Sequence, residues 1–146
     1  MPTGKTLLVT GASGQLGRRV VELLLEAGET HLVALTRTPE KLAHFAERGV
    51  TVRYGSFDEP ESLPAAFAGV DRLLLISTDA VGQPGKRVQQ HTVAIQAAAA
   101  AQVKHVVYTS LLNPINSPIT LAPDHAQTEA ALEASTLGFT VLRNNM

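Results

Sequence analysis

The sequence predicts a doubly wound α/β fold: one parallel sheet with helices on both faces. Three observations carry this. Short apolar runs alternate with longer stretches of helical periodicity along all 146 residues. Several runs are nearly continuous in Val, Leu and Ile, as in parallel strands covered on both faces. The first run also opens directly into three glycines and an amphipathic stretch, "KTLLVTGASGQLGRRVVELLLEAG".

The expected strands are Thr6–Thr10, Leu32–Thr36, Thr51–Tyr54, Arg72–Ile76, His105–Thr109 and Thr140–Leu142. The expected helices are 15–26, 39–48, 60–68, 86–102 and 124–136. In the first, Leu16, Val20, Leu23, Leu24 and Ala27 recur on one face, and Gly28 supplies the stop. The second starts with Thr38-Pro39, a cap followed by proline in the first turn. The fourth contains "VAIQAAAAAQ"; alanine is the best helix former and lets a helix lie close on a sheet. Strand–helix alternation implies right-handed crossovers, and the strands match the 3-2-1-4-5-6 order of Rossmann-type dinucleotide-binding sheets. Residues 1–146 read as one such domain, with no linker or low-complexity segment. The one long non-periodic stretch is "SLLNPINSPITLAP", residues 110–123. Loops this long in compact domains are usually functional or mobile. Leu111, Asn113 and Asn116 are expected to line one wall of a substrate pocket there.

Composition narrows the function. A net charge of −1 argues against a nucleic-acid surface, which needs many unpaired Lys and Arg. The absence of cysteine excludes disulfides and thiolate metal sites, and no metal is expected. The run Leu7–Val9 is too short for a signal-peptide core, and Val93–Val103 is mostly alanine and well short of a membrane span. A soluble cytoplasmic protein with a small-molecule substrate is expected, contacting neither membrane nor nucleic acid. A homo-oligomer is left open.

The glycines carry the first chemical signal. Gly11 permits a sharp turn out of the strand. Gly14 has no side chain to keep a pyrophosphate from the backbone, and Gly17 lets the helix pack on the strand. The helix N-terminus then offers unpaired N–H groups and a partial positive charge to phosphate. Thr10, Ser13 and Gln15 add polar groups. The spacing G-x-x-G-x-x-G departs from the usual G-x-G-x-x-G, so the strand before and the helix after are what support nucleotide binding over a bare glycine turn.

About 20 residues on, an Asp or Glu would hold the ribose hydroxyls of NAD, whereas an Arg suits the extra phosphate of NADP. The sequence reads "ALTRTPEK", with Arg37 at that place and Lys41 near it. A guanidinium binds phosphate bidentately where a carboxylate would repel it. NADPH is therefore expected over NADH; otherwise Arg37 is a solvated loop charge. Asp58, in "YGSFDEPESL", is expected either beside the adenine, accepting from its exocyclic amine, or as an N-cap near Pro60. Ser77 and Thr78 fall at the carboxyl end of the fourth strand, beside the expected nicotinamide ribose.

Together, "TGASGQLGRRV", "ALTRTPEKL", "LLLISTDAVGQ", "VKHVVYTSLLN" and "DHAQTEAALEASTLGFTVLRNN" resemble the NmrA-like group of atypical short-chain dehydrogenases over nearly the whole chain. They are most similar to its type 2 NAD(P)H:quinone oxidoreductases. The resemblance implies an NADPH-binding domain and two-electron reduction of quinones to quinols. It implies cofactor contacts from Gly11 through Gly17, Leu16 among them, and from Arg37, Asp58 and Ser77. The same group also contains NADP-binding redox sensors that contact a partner without turnover, and this is the alternative reading.

Two departures from the family matter. Ordinary short-chain dehydrogenases carry a Tyr-x-x-x-Lys pair; here Leu121 stands at the Tyr position and His125 at the Lys position. Hydride transfer to a quinone does not need the pair, and water or His125 can supply the proton. His125 is thus the candidate catalytic residue, or else a helix-start residue with no chemistry. Members of the group are also usually about twice as long. This chain is expected to keep the cofactor half of the site and to lack much of the substrate half.

Overall fold

The computed structural model describes residues 4–80, 83–111 and 121–144. Its strands are β1 (Leu7–Val9), β2 (Leu32–Thr36), β3 (Thr51–Tyr54), β4 (Arg72–Leu75), β5 (His105–Leu111) and β6 (Gly138–Asn144). They form one parallel sheet in the order β3-β2-β1-β4-β5-β6. The helices are α1 (Gln15–Glu26), α2 (Ala43–Ala46), α3 (Leu63–Phe67), α4 (Lys86–Ala100) and α5 (Ala122–Ala134). The expected fold class and strand order stand.

Side chains alternate across the sheet and divide the core into two layers. Leu8, Val33, Leu35, Leu73 and Leu75 pack with Phe67 of α3, Ala94 and Ala98 of α4 and Leu132 of α5. Val9, Leu32 and Ala34 face the other side, with Val21 of α1 and Phe45 of α2. All five residues of β2 are buried, as the continuous apolar run requires, while β6 is exposed along most of its length as an edge strand.

The structure corrects several boundaries and one helix face. The segments 39–48 and 60–68 each begin with a turn of 3-10 helix, Pro39–Leu42 and Pro60–Ser62, before the short α2 and α3. Thr38 does not cap with its side chain: its hydroxyl pairs with Thr36 Oγ1 at 3.2 Å. β6 is longer than the expected Thr140–Leu142. On α1 the buried residues are Gly17 and Val21, whereas Leu16 and Leu23 are 49% and 46% exposed. Of the expected stripe, Val20 and Leu24 pack against the core, whereas Leu16, Leu23 and Ala27 are exposed. Gly17 makes the close contact expected of it: a Cβ there would lie 2.2 Å from the Gly11 carbonyl oxygen. Gly28, at φ 87°, ends α1 as expected; the N–H groups of Gly28 and Glu29 close onto Leu25 and Leu24 carbonyls in a Schellman turn.

Candidate active site

β1 and β4 are neighbours in the sheet, but the chain leaves β1 toward α1 on one face and β4 toward α4 on the other. That divergence opens a crevice at the carboxyl ends of the strands, the usual ligand position in such sheets. Its volume is about 270 Å³.

The turn after β1 forms its floor. Gly11 has φ 58°, a left-handed conformation that a side chain disfavours. Ala12 N–H then donates to Leu35 O on β2 at 3.1 Å, and Gly14 N–H donates to Gly11 O at 3.0 Å. Gly14 is the N-cap of α1, in extended conformation with no side-chain cap, and the first turn holds no acidic residue. The amides of that turn are therefore uncapped by any carboxylate and suited to an anion. Gly11, Ser13 and Gly14 line the crevice; Gln15 and Leu16 are exposed beside it, and Gly17 is buried beneath it.

Arg37 follows β2, is exposed, and lines the same crevice. Among the described residues, no ion pair engages its guanidinium. Lys41 is exposed in the following 3-10 turn, outside the lining residues. Asp58 lines the crevice and is tied to α4: Lys86 Nζ lies 2.7 Å from its Oδ1, and Gln90 Nε2 donates to the same oxygen at 3.2 Å. These two bonds, Lys86 first, hold the carboxyl below its ordinary range. The N-cap reading of Asp58 is corrected, because the residue before Pro60 in cap position is Glu59 and no side chain caps that turn.

Ser77 and Thr78 line the far wall, after β4. His125 lies elsewhere. Its side chain is buried between α5 and β5, with Nδ1 2.7 Å from Tyr108 Oη, and it is absent from the residues that line the crevice. Burial, then the nearby Arg87, lowers its pKa. Asn113 and Asn116 lie outside the described residues, as does the side chain of Leu111.

Sequence reasoning missed the polar half of α4. Arg87, Gln90 and His91 are all buried. Arg87 Nε donates to Thr78 O at 2.8 Å, and Arg87 lies 3.5 Å from Asp124 Oδ2. A signal existed: residues 87, 91, 94 and 98 lie at helical spacing, so the polar pair shares the sheet-facing stripe with Ala94 and Ala98. The arrangement suits a nicotinamide dinucleotide. It offers uncapped helix amides, an unpaired cation at the end of β2, and two buried polar atoms of crevice residues, Thr78 Oγ1 and Gln90 Oε1, that have no partner among the described residues.

A family profile described as NAD(P)H-binding matches residues 11–146. The chain belongs to that family. Quinone oxidoreductase 2 of Escherichia coli K12 is 43% identical over 139 residues, 94% of this chain and 48% of the relative. An NmrA-like family domain-containing oxidoreductase of Aspergillus flavus is 36% identical over 95% of this chain and 47% of its own. The Citrobacter triphenylmethane reductase, solved with NADP(H), superposes with a TM-score of 0.89 at 40% identity, over 95% of this chain and 49% of that one. The NmrA-like resemblance thus holds. The NAD(P)H-binding chain spans about half the length of the relatives it matches. Among the described residues, no helix is long and apolar enough to cross a membrane.

Proposed function

We propose that this chain forms the cofactor half of an NADPH-dependent quinone reductase. The observation that carries the cofactor choice is Arg37, an unpaired guanidinium lining the crevice where an NAD-specific site would present a carboxylate. The names of relatives support the reaction class: quinone oxidoreductase 2 in Escherichia coli, and an azoreductase from Xenophilus azovorans at 31% identity.

In this reading the first-turn amides of α1, with Ser13, Gln15 and Leu16 around them, take the pyrophosphate. Gly11, Gly14 and Gly17 shape the turn that presents those amides. Arg37 takes the 2′-phosphate, with Lys41 adding charge. Asp58 receives the adenine amine on the oxygen that Lys86 and Gln90 leave to it. Ser77 and Thr78 face the nicotinamide ribose. When bound, the dinucleotide supplies the hydride, and a quinone becomes a quinol by taking that hydride and one proton. The proton comes from water, because His125 is buried with Nδ1 engaged by Tyr108.

The test is titration with NADPH and NADH, followed by NADPH oxidation with a panel of quinones. Both are run on this chain and on a chain extended to the length of its relatives. Tighter NADPH binding and quinone turnover by the extended chain are expected. Equal affinities for the two cofactors would overturn the cofactor reading. NADPH binding without turnover by the extended chain would favour the non-catalytic NmrA-type sensor.

A further inference from the structure

β4 ends at Leu75, yet the next three backbone N–H groups are all taken by side chains of other elements. Ile76 N–H donates to Thr10 Oγ1 at 3.0 Å, Ser77 N–H to Thr109 Oγ1 at 2.8 Å, and Thr78 N–H to His91 Nε2 at 3.0 Å. The partners come from the end of β1, from β5 and from α4. The Thr78 carbonyl is held as well, accepting from Arg87 Nε at 2.8 Å. The segment 76–78 is thus fixed by side chains beyond the point where the sheet ladder stops.

His91 is the member with a choice of roles, and its surroundings leave one. A backbone N–H can only donate, so Nε2 accepts and carries no proton. The proton sits on Nδ1, which lies 2.8 Å from Thr128 Oγ1; that hydroxyl in turn donates to Asp124 O at 2.8 Å. The ring is fully buried and both nitrogens are used. A histidine kept only to fill the core would not need its second nitrogen aimed at a crevice backbone.

We propose that His91 is a positioning residue of the dinucleotide crevice: through Thr78 it sets the segment 76–78. With Thr10 and Thr109 it leaves that segment carbonyl and hydroxyl groups, but no backbone N–H, to present to a ligand. The inference rests on the dinucleotide reading above and adds a polarity to it. The α1 end offers amide donors and takes the anion. The 76–78 wall has spent its amides and keeps carbonyl oxygens, which accept, and hydroxyls, which accept or donate; it suits a ribose hydroxyl or a carboxamide in place of phosphate.

The test uses three variants. His91→Gln keeps an acceptor near the Nε2 position, His91→Asn keeps a donor near the Nδ1 position, and His91→Leu keeps neither. The readouts are NADPH affinity, melting temperature, and amide hydrogen exchange of peptides covering 76–78 in the cofactor-free protein. His91→Leu and His91→Asn are expected to speed exchange in that segment and to weaken NADPH about tenfold, the scale set by one lost buried hydrogen bond. His91→Gln is expected to stay within about threefold of the unmutated chain even where it melts as low as His91→Asn. Affinity losses that follow melting temperature alike in all three would overturn the proposal, as would unchanged exchange at 76–78 in His91→Leu. If His91→Leu does not fold, Thr128→Val removes the acceptor of Nδ1 and must speed exchange in the same peptides; unchanged exchange there also overturns it. Failure of the unmutated chain to bind NADPH would instead remove the dinucleotide reading, while the exchange arm still decides whether His91 sets the segment.

Discussion

Tyr108 Oη and His125 Nδ1 lie 2.7 Å apart in the layer where α5 covers β5. Tyr108 is fully buried, and burial pushes its pKa up to about 12, so the phenol keeps its proton. The pair reads as a hydrogen bond that joins helix to sheet. His125→Ala is expected to cost about 1–3 kcal/mol of stability by leaving a buried phenol short of a partner. NADPH affinity should change little. Urea unfolding and cofactor titration of the same variant check both halves. Loss of NADPH binding by a well-folded variant would return His125 to the site.

The buried histidines set the acid stability. Burial lowers the pKa of His125, and burial followed by Arg87 drives His91 down to about 3. In the unfolded chain both titrate near 6.5. Between pH 6.5 and about 3 the unfolded state therefore binds the His91 proton that the folded state refuses. The histidine contribution should be level above pH 7 and fall as pH drops below it, by up to about 1.4 kcal/mol per pH unit for each such histidine. Unfolding free energies measured at pH 7.5, 6 and 5 test this. His91→Gln should flatten the slope, and a slope unchanged by that substitution would refute the assignment.

Arg37→Asp should weaken NADPH on the order of 100-fold, the sum of two charge-assisted bonds at about 1.5–3 kcal/mol each, discounted for the exposure of the site. NADH should bind as well as before or better. Calorimetry with both cofactors gives the ratio. A ratio that does not move would make Arg37 a solvated loop charge.

Gly14 and Gly17 should respond differently to a side chain. At Gly17 a Cβ meets the backbone of Gly11 and Ala12 at 2.2 and 2.8 Å, and backbone cannot step aside. Gly17→Ala should destabilise by about 3 kcal/mol or more, at the upper end of overpacking. At Gly14 φ is −81° and a Cβ approaches only Gly11 O, at 3.4 Å. Gly14→Val should fold and lose the cofactor. Melting temperature paired with NADPH titration separates the two. A Gly14→Val protein that still binds NADPH would show that phosphate does not approach there.

The layer order was legible in the sequence because parallel strands covered on both faces need continuous apolar runs, and β2 shows one. The turn after β1 was legible because left-handed φ at Gly11 and the close approach at Gly17 exclude other residues. The conditions there are local, so a sequence can express them. Arg37 was found by its distance along the chain, since strand length and turn chemistry bring the end of β2 beside the crevice. The face of α1 was read only in part: Val20 and Leu24 pack on the core as expected, but Leu16 and Leu23 are exposed, since the helix carries more apolar residues than the face centred on Gly17 and Val21 can bury. The polar stripe of α4 was missed for a different reason. Arg87, Gln90 and His91 would be poor choices for a sheet-facing helix unless partners meet them, and those partners, Thr78, Asp58, Thr128 and Asp124, come from separate parts of the chain. Whether a buried polar group is satisfied depends on which distant atoms arrive within about 3 Å of it, and only the packed sheet with its helices decided that.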